Sequence, residues 1–192
     1  MKLSYFVPLA ILILAIAFIL YGPRVQSRLG FQAAYIENGY YTETYDGVKI
    51  VYKVARVSEI DEGNAQIARD KIWRLKGGLE LVSRYSPGDY ALFLQVDEVG
   101  IYPGRSMPTG TSAGAFSAER NEIMVADWPS EFSLGNCDPA TWFTIDRAKI
   151  FVHELCHSRQ HREGMAANEE ECYAADDAFE KRVVAAECSP TP

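Results

Sequence analysis

The chain has 192 residues, 26 acidic against 19 basic side chains, a net charge of −7 and a pI near 5.0. That length suits one domain with a real core and leaves no room for two comfortable ones. The acidic balance excludes an extended basic surface, and with it nucleic acid as a partner, because phosphate binding needs clustered Lys and Arg.

Residues 5–21, YFVPLAILILAIAFILY, are almost wholly apolar and carry no charge. At about 17 residues the run is at the lower end of what crosses a bilayer core as a helix. The segment that follows, YGPRVQSR, does not offer the small-residue pattern of a cleavage site, so an uncleaved transmembrane anchor is expected rather than a cleaved signal peptide. The expected organisation is an anchor and juxtamembrane segment over residues 1–28 and one domain over residues 29–192. Lys2 on one side faces Arg24 and Arg28 on the other, which leaves no asymmetry for the positive-inside rule. Four cysteines, Cys137, Cys156, Cys172 and Cys188, all lie beyond the anchor. Their even number suits an oxidising compartment and favours a single-pass membrane protein with an extracytoplasmic domain.

Residues 40–57, YYTETYDGVKIVYKVARV, place β-branched and aromatic residues on both sides of Asp46-Gly47, which predicts a β-hairpin. Ser58 then opens a helix with acids in its first turn and Ile67, Ala68, Ile72 and Leu75 at helical spacing. It is predicted to run to about Lys76, where Gly77-Gly78 loosens it, with a second helical stretch after. Residues 97–103 (DEVGIYP) read as a short strand, and residues 114–126 (GAFSAERNEIMVA) as two strands joined by a polar turn at 118–121. Residues 127–140, with two prolines and a glycine, read as a loop, and residues 144–184 as helical with a break near Gly164. The pattern is that of an α+β domain with a small mixed sheet.

All three histidines lie within VHELCHSRQH, at His153, His157 and His161, on a helix expected to start near Thr144 or Asp146. Residues four apart share a helical face, so His153 and His157 can direct two imidazole nitrogens at one ion. Glu154 stands beside the first ligand, where a bound water would sit. The spacing HExxH is that of a zinc site, and the apolar residues Ile150, Phe151 and Val152 before it predict a buried helix. His161 lies eight residues from His153, roughly 12 Å along the axis, too far for both to bind one ion. It belongs to the rim or the surface.

Carboxylates for the third ligand come from NEEECYAADDAFEKR, residues 168–182. With Glu169 at zero on the helical wheel, Cys172 falls at about −60°, Tyr173 at about +40° and Asp176 at about −20°. One stripe therefore carries a ligand, two packing residues and a second acid two turns on. From Glu171 the stripe offers only Ala174, Ala175 and Ala178. The angles favour Glu169 over Glu171, with Glu170 last, and any glutamate not used as a ligand suits the positive end of the helix dipole. Asp176 is the candidate to hold a ligand histidine by its other ring nitrogen.

On these residues the chain resembles the zincin metallopeptidases, in particular the gluzincin-like group, in which HExxH on one helix is completed by a glutamate on the next. The resemblance spans about residues 114–180. HELCH is its specific part; in EEEC a cysteine stands where a small alanine is common, and Tyr173 stands where aspartate is frequent. It implies a zincin-like fold, with a Glu-bearing helix after the HExxH helix. It also implies a peptide or protein substrate pairing along a sheet edge, a task that falls to residues 122–126 (EIMVA). Zn²⁺ held by His153, His157 and Glu169 or Glu171 would acidify a water towards a pKa of roughly 7. Glu154 would take the proton and pass it to the leaving amine, and Tyr173 would donate to the oxyanion. The alternative is a membrane-anchored zinc-binding module without catalysis.

The helical offsets also bear on the cysteines. Cys156 follows His153 by three residues and Cys172 follows Glu169 by three, so each sits beside a ligand on its own helix. Two helices that share an ion bring such cysteines within the roughly 5.5–6 Å between Cα atoms that a disulfide needs. Cys137 and Cys188 would form the second pair. The alternative is four buried thiols that pack as small apolar groups.

Overall fold

The computed structural model describes residues 35–37, 39–54, 62–104, 113–127 and 137–188. The apolar run over residues 5–21, and with it the expected anchor, lies outside them. Among the described residues no helix is long and apolar enough to cross a membrane.

Six strands and four helices are described. In chain order they are β1 (Tyr35–Glu37), β2 (Tyr40–Tyr45), β3 (Val48–Tyr52), α1 (Glu62–Tyr85), α2 (Pro87–Phe93), β4 (Glu98–Pro103), β5 (Gly114–Ser117), β6 (Glu122–Asp127), α3 (Pro139–Arg162) and α4 (Glu169–Glu187). The strands form one mixed sheet in the order β1-β2-β3-β4-β6-β5. The β1–β2, β2–β3 and β5–β6 pairs are antiparallel, whereas β3–β4 and β4–β6 are parallel. The β2–β3 hairpin turns at Asp46 and Gly47, both with positive φ (46° and 90°), the backbone of a type I′ turn, whose twist matches that of the flanking strands.

Alternate residues of the central strands, Ile50 and Tyr52, Val99 and Ile101, Ile123 and Val125, point into one core. Ala68, Ile72, Leu75, Leu79 and Val82 of α1 meet them, a stripe at the 3–4 residue spacing of a helix that buries one face. Ile145, Ala148, Phe151, Val152 and Leu155 of α3 complete it. The HExxH helix is thus pinned to the sheet along its length, and the buried Arg147 donates to the Ala126 carbonyl at the end of β6, at 2.9 Å.

Three local expectations change. Gly77-Gly78 does not loosen α1, which continues to Tyr85. A Cβ at Gly78 would stand 3.1 Å from the Ala148 nitrogen and from Arg147 Cβ, so the glycine serves the close approach of α1 to α3 rather than a break. Helix α3 begins at Pro139, a turn and more before Thr144. Asp138 caps it, its Oδ1 accepting from Ala140 N (2.9 Å) and Thr141 N (3.1 Å), and proline suits the first helical position because its missing N–H has no partner there. Finally β6, which holds residues 122–126, is paired on both sides. The sheet edge lies at β5.

The break between α3 and α4 is a glycine stop. Gly164 has φ 69°, Met165 N–H reaches back to the Gln160 carbonyl at 2.8 Å and Gly164 N–H to that of His161 at 3.1 Å, which together satisfy the last carbonyls of α3. Asn168 then caps α4 by accepting from Glu171 N at 3.2 Å.

Candidate metal centre

Helix α3 carries His153, Glu154 and His157, and α4 carries Glu169, Tyr173 and Asp176. A Cys156–Cys172 disulfide, with Cα atoms 5.4 Å apart, joins the two helices one turn from His153 and from Glu169. Cys137–Cys188 joins the start of α3 to the end of α4. Both pairings expected from the helical offsets are present.

Ligating atoms of His153, His157 and Glu169 lie within 4.8 Å of one another. His153 Nε2 is 3.3 Å from His157 Nε2 and 3.2 Å from Glu169 Oε2, and His157 Nε2 is 3.4 Å from Glu169 Oε1. A tetrahedral ion with bonds of about 2.0–2.1 Å sets its donor atoms about 3.3–3.4 Å apart, the separation of the two imidazole nitrogens, and the Glu169 carboxylate faces each of them with a different oxygen. Asp176 Oδ2 accepts from His153 Nδ1 at 3.0 Å, so the neutral ring turns its Nε2 lone pair to the Glu169 carboxylate. Acceptors that face each other at such distances repel unless a proton or a metal cation lies between them. The same Asp176 bond raises the pKa of His153 above its ordinary value. Lys149 holds the other side of Asp176, at 3.8 Å, and also pairs with Asp177 and Glu180.

Glu154 is 5 % exposed. Burial pushes its pKa up to about 7, against the opposing pull of His153 and a hydrogen bond from the Phe116 backbone. Its carboxylate lies against β5, where a Cβ at Gly114 would come 2.7 Å from Glu154 Oε1 and 2.6 Å from Ile150 Cγ2. A cleft of about 700 Å³ opens over this group, walled by β5 on one side and by Met165, Ala167 and Tyr173 on the other.

The remaining sequence candidates separate. Glu171 turns from the trio to Arg159 (2.6 Å) and Gln160 (2.9 Å), and Glu170 is exposed. His161 is exposed at the cleft rim, its ring 6.2 Å from that of Phe116. Tyr173 is 60 % exposed and lies 4.7 Å, ring to ring, from His153. Two residues of the site escaped the sequence reading. Gly114 carried a readable signal, a glycine inside a predicted strand, which often marks a close backbone approach. Gln160, buried beside His157, carried only its spacing of three from a ligand.

No family model, no curated protein and no solved structure matches this chain.

Proposed function

We propose that the chain is a zinc-dependent peptidase of the zincin type, acting on peptide or protein substrates from a membrane tether. The convergence of His153, His157 and Glu169, with the two imidazole nitrogens 3.3 Å apart, beside a buried acid, carries this reading. Two imidazole nitrogens and a carboxylate are a donor set of catalytic zinc sites, which keep one position open for water or substrate. Zinc held there would supply Lewis-acid chemistry, polarising a carbonyl and acidifying water.

The chain's own residues account for the rest. Glu154, with a carboxyl poised near neutrality, takes the proton of the attacking water and returns it to the leaving amine. The Phe116 N–H holds its carboxylate against β5. Asp176 orients His153, and Tyr173, which lines the cleft beside the His153 ring, donates to the oxyanion. An extended peptide pairs along the open side of β5, whose other side is taken by β6. The tether is residues 1–28, and four cysteines joined in two disulfides support an oxidising, extracytoplasmic setting.

Metal analysis of the full chain and two variants tests the centre. Glu169→Ala should strip zinc that the parent and Glu171→Ala both retain. Stoichiometric zinc in Glu169→Ala together with loss in Glu171→Ala would reassign the third ligand, and a metal-free parent would remove the reading.

A further inference from the structure

Gln160 is 1 % exposed, and its amide uses its whole hydrogen-bonding capacity. Oε1 accepts the Asn168 backbone N–H at 3.0 Å and faces His157 Nδ1 at 3.2 Å. Nε2 donates to the Asn168 carbonyl at 3.2 Å and to Glu171 Oε2 at 2.9 Å. A backbone N–H can only donate, and a carbonyl or an ionised carboxylate only accepts, so three of these four partners allow one orientation of the amide. The reversed amide would set two donors together and aim its oxygen at a carbonyl and a carboxylate. With the orientation determined, the fourth partner has no choice. His157 meets an oxygen and must carry its proton on Nδ1. The Cys172 sulfur, 3.6 Å from the same nitrogen, is disulfide-bonded and has no proton to offer.

We propose that Gln160 is the positioning residue of this centre, holding His157 in the Nδ1–H tautomer so that its Nε2 lone pair faces the other two ligands. Free histidine favours the opposite tautomer, so the protein must supply this preference. The same amide grips both backbone groups of Asn168, the residue that caps α4 immediately before Glu169. One side chain therefore couples the second ligand's orientation to the turn that delivers the third. Glu171 acquires a role as well: held by Arg159 at 2.6 Å, it anchors the Gln160 amide from behind. The inference rests on the metal-centre part of the proposed function and not on peptide cleavage.

Long-range ¹H–¹⁵N NMR spectra of the metal-free full chain at about pH 8.5, where histidine is neutral, report each ring's tautomer, and zinc titration reports the consequence. The parent should show His157 as Nδ1–H. Gln160→Met should move His157 towards Nε2–H and weaken zinc binding about 10–100-fold. The exchange pair Gln160→Glu with Glu171→Gln keeps an acceptor towards His157 Nδ1 and the Asn168 N–H and a donor behind it, but sets an oxygen against the Asn168 carbonyl. It should restore the tautomer, with a zinc affinity between those of the parent and Gln160→Met. His157 found as Nε2–H in the parent overturns the proposal, as does an unchanged tautomer and zinc affinity in Gln160→Met. If that variant does not fold, an Nε2–H tautomer in the exchange pair overturns it too. A parent that shows Nδ1–H but takes no zinc would sink the metal centre and leave the positioning role standing.

Discussion

Replacing Cys156 and Cys172 by alanine removes a bond that closes 16 residues of chain, whereas replacing Cys137 and Cys188 removes one that closes 51. Loop-closure entropy makes the shorter link worth about 3 kcal/mol and the longer about 4 kcal/mol. For a domain of this size these are drops in melting temperature of ~6–12 °C and ~8–16 °C. Metal affinity should follow the opposite order. Cys156 and Cys172 each stand one turn from a ligand, with Cα atoms 5.4 Å apart, so without their bond α4 must be ordered against α3 when zinc binds. If roughly half of the 3 kcal/mol moves into that step, affinity falls about tenfold. The distal link touches no ligand, and its removal should leave the zinc dissociation constant within about threefold. Thermal unfolding of the metal-free protein and competitive zinc titration, run on both double variants, give the two orders. Zinc affinity that tracks melting temperature across the variants would refute the clamp and make both disulfides plain contributors to stability.

Glu154→Gln tests the buried acid without metal. Its folded-state pKa, about 7 against an ordinary 4.5, is raised, so the stability contributed by the protonated group is complete below about pH 4.5 and is lost as pH rises through 7. His153, raised by Asp176, acts with the same sign. Urea unfolding of the metal-free variant should therefore show it more stable than the parent at about pH 8.5, by on the order of 3 kcal/mol, and no different at about pH 4. A constant difference across this range would show that Glu154 is not held protonated by burial. Gly114→Ala puts a methyl group 2.6 Å from Ile150 Cγ2 and 2.7 Å from Glu154 Oε1. It should cost about 1–3 kcal/mol and slow peptide cleavage about 100-fold by displacing the base while zinc content stays unchanged; full activity would mean that Glu154 does not work from this position.

What the sequence discloses here is what a helix repeats. The spacing of His153 and His157, the stripe from Glu169 to Asp176 and the matched offsets of Cys156 and Cys172 follow from about 100° per residue, and the structure brings these groups together. Features that depend on distant partners were not legible. The short apolar run in residues 122–126 shows a strand but not how many neighbours it has, so the resemblance gives the edge role to β6, whereas the edge is β5. Gly78 reads as a break until the backbone of α3 stands against it. Asp138 and Pro139 read as loop because the first turn of α3 has no apolar periodicity before Trp142. Gln160 shows its role only once the turn folds Asn168 back onto it.

Zinc content and peptide-library cleavage, measured together on the full chain and on Glu154→Gln, decide whether the chain is a zinc peptidase. Both proteins should hold about one zinc per chain, and cleavage by the parent should fall at least ~100-fold in the variant. A parent without zinc, or a variant that cleaves as fast as its parent, would rule the peptidase out.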